Sequence, residues 1–292
     1  MNLVTRLLFT LSMSLFTTLT MAAQPVLLPA WQATPFEQPE SVVYDTQNEM
    51  LYVSNVNGDG MTADGNGYIS TLSLSGEVIE QHWLTGLDAP KGMTIVGNNL
   101  YVADIKTLVV IDIPTKTIKQ RYFAIDAKFL NDVAADKEGN VYVSGFLTNS
   151  IYRLKGSSFN IWLKNEQLEV PNGLLVEGDQ LLIGSWGVMT DGFATDFSGH
   201  LKTVDIASKK ITSLGDQTPA GNLDGVEPDG EGNYYVTDWL NGKLLHIQPT
   251  GISTTLLKLD QGSADQTVLL EQGLVIIPMM LSGNVSAFQI KQ

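Results

Sequence analysis

"LNDVAADKEGNVYVSG", residues 130–145, reads as a β-hairpin. Val133 and Ala135 alternate with other residues, "DKEGN" makes a turn and "VYVSG" returns. The first strand nevertheless opens with Asn131-Asp132, two residues that favour turns and are depleted in strands. A simple turn accounts for one such hairpin. It does not account for the same arrangement recurring along the chain.

The unit recurs six times. It reads "ESVVYDTQNEMLYVSN" from Glu40, "KGMTIVGNNLYVAD" from Lys91, "NDVAADKEGNVYVSG" from Asn131, "NGLLVEGDQLLIGSW" from Asn172, "DGVEPDGEGNYYVTDW" from Asp224 and "DQTVLLEQGLVIIPM" from Asp265. Most copies are followed by two further short strands, such as "SIYRLK" with "SFNIWLK". Four short strands in about forty residues, repeated, describe β-propeller blades. The second strands are apolar on both faces, as blades sandwiched between neighbours require. The sixth copy has only three strands before Gln292, and "QPVLLPAWQA", residues 24–33, can supply the fourth. The expected fold is all-β: a six-bladed β-propeller over residues 24–292, closed by an N-terminal strand.

In a propeller the first strand of each blade lies beside the central channel. The equivalent residues Glu40, Lys91, Asn131, Asn172, Asp224 and Asp265 then form a polar ring. Carboxylate and carboxamide oxygens, without thiolate or imidazole, suit a hard cation such as Ca²⁺, Mg²⁺ or Mn²⁺. Converging carboxylates in a low-dielectric channel need a cation or protons to neutralise them.

Composition narrows the function. The 292 residues carry 31 acidic against 17 basic groups, a net charge of −14 that repels nucleic-acid phosphates. With no cysteine, thiol nucleophiles, cysteine-held metals and disulfides are excluded. The three histidines, His82, His200 and His246, fall off the ring, which argues against a serine-hydrolase triad. Residues 1–23 have one basic residue, Arg6, then an apolar run from Leu7 to Leu19 and small residues at Ala22 and Ala23. That layout predicts a cleaved secretory signal, hence a periplasmic or secreted protein with no stable membrane insertion.

The segments Pro39-Glu40-Ser41, Asn131-Asp132, Pro171-Asn172-Gly173-Leu174 and Asp224-Gly225-Val226, in this order and blade spacing, resemble the SMP-30/gluconolactonase/LRE-like family (senescence marker protein-30, regucalcin-like). The resemblance implies six blades, one divalent metal in the channel and hydrolysis of sugar lactones. It places Glu40, Asn172 and Asp224 as metal ligands and Asn131 against the substrate or a metal-bound water. Ca²⁺ is the first expectation, with Mg²⁺, Mn²⁺ or Zn²⁺ as alternatives. The sugar-lactonase members carry an arginine two residues before that asparagine, where this chain has Phe129. The exchange removes a hydrogen-bonding fork and points to a less polar lactone or another ester. The implied chemistry is metal-dependent hydrolysis, with Asp224 as general base and Lys91 or Asn131 steadying the oxyanion. Asp265 is a second candidate base. The competing expectation is a non-catalytic secreted propeller that binds a ligand or protein around a structural metal.

Three further features read as secondary. "NVNGDGMTADGNGY", residues 55–68, starts like an EF-hand loop but has Asn66 where the bidentate glutamate belongs, and reads as a loop over the site. Residues 184–200 occupy the corresponding place in the fourth blade, where Trp186, Met189 and Phe193 can form an apolar wall. Asp132 is read as pointing away from the ring to serve loop amides.

Overall fold

Apolar runs of five to seven residues, cut by Gly, Asn and Asp turns, are too short for stable helices and pair as antiparallel strands. In the computed structural model, which describes residues 24–291, they make six four-stranded sheets. The inner strands are Pro39–Asp45, Pro90–Val96, Leu130–Ala135, Pro171–Glu177, Leu223–Pro228 and Thr267–Leu269. Each contacts the inner strands of the blades before and after it, and the sixth returns to the first. The ring is therefore a closed six-bladed propeller. Val26–Ala33 pairs antiparallel with Asn284–Lys291 and supplies the outer strand of blade six. The expected secretory signal, residues 1–23, lies outside the described residues.

The core is partitioned between blades. One apolar cluster joins Tyr52 and Ile69 of blade one to Met93, Leu100 and Val102 of blade two. The next joins Ala103 and Leu108 of blade two to Val133, Val141 and Val143 of blade three. Second strands thus bury both faces, Leu100 and Val102 toward one neighbour and Ala103 toward the other.

Every inner strand is interrupted at the same place. Pro39 pairs with Asn55 and Val42 with Val53, so Glu40 and Ser41 together oppose Ser54. The same two-against-one bulge sets Lys91-Gly92, Asn131-Asp132, Asn172-Gly173 and Asp224-Gly225 against a single residue of their second strands. In blade six Ser263 bridges Met279 and Thr267 pairs with Ile276, which makes Ala264-Asp265 the equivalent pair. A bulge leaves its residues out of the ladder and re-aims their side chains. This is why a strand opens with Asn131-Asp132. It also corrects the expected ring: the sixth member is Ala264, and Asp265 stands one step further along, level with Asp132.

The second bulge position is crowded by the next blade. A Cβ on Gly173 would sit 1.7 Å from the Asp224 carbonyl oxygen, and one on Gly92 would sit 2.4 Å from Asp132 Oδ1. Gly173→Ala must push blades four and five apart at the channel. It is expected to cost about 3 kcal/mol and roughly 5–10 °C in Tm. Gly60→Ala, whose Cβ would meet only a Phe129 ring carbon at 4.0 Å, should change stability by less than about 0.5 kcal/mol in the same thermal melts.

Candidate functional site

The first bulge positions bring Glu40, Lys91, Asn131, Asn172 and Asp224 together, all buried. A hydrogen-bond chain runs across blades three, four and five. Asn131 Nδ2 donates to Asn172 Oδ1, and Asn172 Nδ2 donates to Asp224 Oδ1 at 3.0 Å and to the Leu223 carbonyl at 3.1 Å. Glu40 Oε2 is buried with no hydrogen-bond partner. Lys91 Nζ donates to the carbonyls of Ala89 at 2.7 Å and Gly60 at 3.0 Å, and lies 4.5 Å from the centre of the Phe129 ring.

These groups are strained electrostatically. Burial pushes the Glu40 carboxyl well above the usual carboxylate range, and the neighbouring Asp224 adds to the push. Burial likewise raises Asp224 well above its ordinary value, reinforced by Asp132. Lys91 is pulled down to about 8 by burial, against the opposing pull of Glu40. Among the described residues no three Asp, Glu, His or Cys converge closely enough to hold a metal by themselves. The set that does converge is two carboxylates and two carboxamides, all-oxygen donors with one carboxylate oxygen orphaned. An orphaned buried carboxylate oxygen is costly unless a cation or proton meets it, so these residues fit a hard divalent cation.

The second bulge positions lie beyond this layer. Asp132 accepts hydrogen bonds from the amides of Val133 at 2.6 Å and Leu174 at 2.5 Å, stapling blade three to blade four. It serves strand amides, where loop amides were expected, and it belongs to the channel wall. Burial pushes it up to about 6. Asp265 Oδ2 accepts from Ser41 Oγ at 2.6 Å. Asp132, Asp265, Gln266 and Glu227 line a cavity of about 160 Å³. Glu227, unmarked in the sequence, is pushed up to about 8 by burial and by Asp132. The detectable signal was its place three residues after Asp224, on the same channel strand.

Two loops frame the mouth. In residues 56–66 Asp59 and Asp64 accept from the amides of Met61 and Asn66, so the EF-hand-like stretch turns its carboxylates onto itself. The loop is held over Phe129 by the Lys91 bond to Gly60. In blade four Trp186 Nε1 donates to the Phe193 carbonyl at 2.9 Å, and Asn222 Nδ2 holds Thr195 Oγ1 at 3.0 Å. Trp186, Phe193 and Met189 do build an apolar wall there with Phe146 and Phe129. The histidines are elsewhere: His246 pairs with Asp229, His200 with Ser213, and His82 stacks on Tyr68.

The profile of the SMP-30/Gluconolactonase/LRE-like region matches residues 38–261. A gluconolactonase from Xanthomonas campestris has a similar structure, with a TM-score of 0.66 and 14% identity over 91% of this chain and 90% of that one. A streptogramin B lyase is similar at a TM-score of 0.64 and 12% identity, over 91% and 98% of the two chains. An inactive virginiamycin B lyase from Staphylococcus aureus, solved with quinupristin, gives 0.60 and 13%, again over 91% and 98%. At such identities the likeness is one of fold. A search of curated proteins finds no match.

Two outcomes test the electrostatics. In chelator-treated protein, Asp224→Asn removes a carboxyl whose ionised form burial disfavours while keeping an acceptor for Asn172, and Tm should rise by a few degrees. A divalent cation at a hundred times Kd should stabilise the parent by about 2.7 kcal/mol, read as a rise in Tm, and leave the variant nearly unmoved. The second outcome concerns Glu227. Its folded form keeps a proton up to pH about 8, whereas the unfolded chain releases it near pH 4 to 5. Stability is therefore lost as pH rises through that window, by up to about 1.4 kcal/mol per unit. Glu227→Gln should flatten this slope in urea titrations at pH 5.5 to 7.5.

Proposed function

Since the chain belongs to the SMP-30/gluconolactonase/LRE-like family, we propose that it is a hydrolase of a lactone or related ester, acting at the channel mouth. The observation that carries the reading is the buried pair Glu40 and Asp224, with Glu40 Oε2 unpartnered beside two carboxamides. Glu40, Asn172 and Asp224 would hold one divalent cation, Ca²⁺ first on the all-oxygen donor set, and the cation would supply Lewis acidity toward the ester carbonyl.

The chain's own groups do the rest. Asp224, whose burial raises its affinity for a proton, takes one from the attacking water as general base. The Asn172 amide, anchored on the Leu223 carbonyl and on Asp224, fixes that carboxylate in place. Asn131 orients the water or the carbonyl with its carboxamide. Lys91 has one N–H left after its two carbonyl bonds, and that donor with its charge steadies the developing oxyanion. Asp265 is held on Ser41 one step beyond the ring, which makes it the weaker base candidate. Phe129 replaces the hydroxyl-binding arginine with a hydrocarbon face, so an apolar lactone or ester is favoured over a sugar lactone. The apolar run in residues 1–23 supports export to the periplasm or the medium.

The experiment is a hydrolysis panel of aldonolactones, aliphatic lactones and aryl esters, with and without Ca²⁺, Mg²⁺, Mn²⁺ and Zn²⁺. Cation-dependent turnover is expected. Asp224→Ala should lose both cation binding and turnover, the latter by at least a hundredfold, the scale of general-base catalysis. Survival of both in that variant overturns the assignment, and bound cation without turnover on any substrate favours the non-catalytic propeller.

A further inference from the structure

One position repeats in every blade just beyond the second strand. The last residues of those strands, Asn55, Asp104, Gly145, Ser185, Asp238 and Met279, each pair with the residue before the bulge. The next residues are Val56, Ile105, Phe146, Trp186, Trp239 and Met280, an apolar circle one layer outside the polar ring. The circle is lopsided. Blades one, two and six contribute aliphatic side chains that pack among themselves around Ala89. Blades three, four and five, which supply Asn131, Asn172 and Asp224 to the layer below, contribute only aromatics.

Those aromatics form one continuous cluster, in which Phe146 and Trp186 are buried and Phe129, Trp239 and Phe193 keep accessible ring area. Ring centres lie 5.4 Å apart for Phe146–Trp186 and 6.0 Å for Trp186–Trp239. Phe129 joins at 5.5 Å from Phe146, held by the Lys91 ammonium over its face. Phe193 reaches over both Phe146 and Trp186 at 6.1 and 6.2 Å and remains 48% exposed. The ring faces of Phe129 and Phe193 offer no hydrogen-bonding atoms, and the Trp186 N–H is committed to the Phe193 carbonyl. A polyhydroxylated ligand laid there would lose hydrogen bonds to water without replacement. A flat hydrocarbon would gain burial and offset-stacked or edge-on ring contacts.

We propose that the accessible rim of this aromatic half-circle, Phe193 with Phe129 and Trp239 on the buried Phe146 and Trp186, is the subsite for a flat apolar group on the substrate, so that the ester cleaved is an aryl-substituted lactone. This rests on the hydrolase reading above for the ester end, and on the half-circle alone for the aryl end. The two are tested apart by a ligand that binds without turning over. In calorimetry with Ca²⁺ present, 5-phenyl-2-pyrrolidinone should bind about tenfold more tightly than 2-pyrrolidinone, the scale of one stacked ring. Phe193→Ala, a substitution at a half-exposed side chain, should cut that preference to threefold or less, and Phe129→Ala should act in the same direction. In kinetics, kcat/KM for γ-phenyl-γ-butyrolactone should exceed that for γ-butyrolactone and for D-glucono-δ-lactone, with the same loss in both variants. Equal binding of the two lactams, no binding of either, or a preference unchanged in both variants overturns the subsite. Selective lactam binding that the variants abolish, with no lactone turned over, sustains the subsite and sinks the hydrolase reading.

Discussion

The structure depends on a bulge placed at the same point in six strands. A regular inner strand would turn alternate side chains into the blade interfaces and leave the channel lined by whatever remained. Two residues opposing one break the alternation, and the first of them aims into the channel in each blade. The break also frees backbone amides, which must be satisfied in a buried wall. The residue opposite the bulge answers this in two blades: Ser54 Oγ accepts from the Ser41 amide and Ser144 Oγ from the Asp132 amide, at 2.9 and 2.8 Å. The candidate site is thus a by-product of how the strands pair, repeated until it closes on itself.

That arrangement concentrates carboxylates where water is scarce. Glu40, Asp224 and Asp265 are each raised well above the ordinary carboxylate range, with burial as the largest cause. The fold tolerates this because other parts are strong: six interblade clusters and a ring without a free sheet edge at its seam. Glycine at the second bulge position of blades two, four and five is part of the same solution. It lets the next blade approach closely: a Cβ on Gly92 would meet Asp132, one on Gly173 the Asp224 carbonyl and one on Gly225 the Gln266 side chain.

Much of this was legible because a bulge leaves a trace in sequence. Polar residues at the start of an apolar strand, repeated five times, mark Glu40, Lys91, Asn131, Asn172 and Asp224 without any knowledge of their partners. The sixth blade was misread by one residue because Asp265 looks like a ring member, and only the ladder to Met279 shows that Ala264 holds the place. Asp132 reads as pointing away because successive side chains of a regular strand alternate, and only the two-against-one pairing sets it in the channel wall. The aromatic half-circle was legible only in pieces. Trp186 and Phe193 read as a local wall, while Phe146 and Trp239 looked like unremarkable residues after a strand. They become one feature when the blade register sets them at equivalent positions.

The seam between blades six and one shows how far the site depends on distant pairing. Blade six meets blade one through a bridge in which the Asp265 amide donates to the Glu40 carbonyl at 3.0 Å and the Val42 amide donates to Asp265 at 3.2 Å. Ser41 Oγ adds a bond to the Asp265 carboxylate. The backbone of Glu40, whose side chain holds the one buried carboxylate oxygen without a hydrogen-bond partner among the described residues, is therefore clamped by the last blade. That blade is completed at its rim by Val26–Ala33, and Trp31 of this strand donates its indole N–H to the Leu74 carbonyl of blade one at 2.9 Å. Closure thus grips blade one twice, at the channel and at the rim. A loosened N-terminal strand would act on Glu40 through the seam, while Asn131, Asn172 and Asp224 remain bonded to one another across three uninterrupted blades.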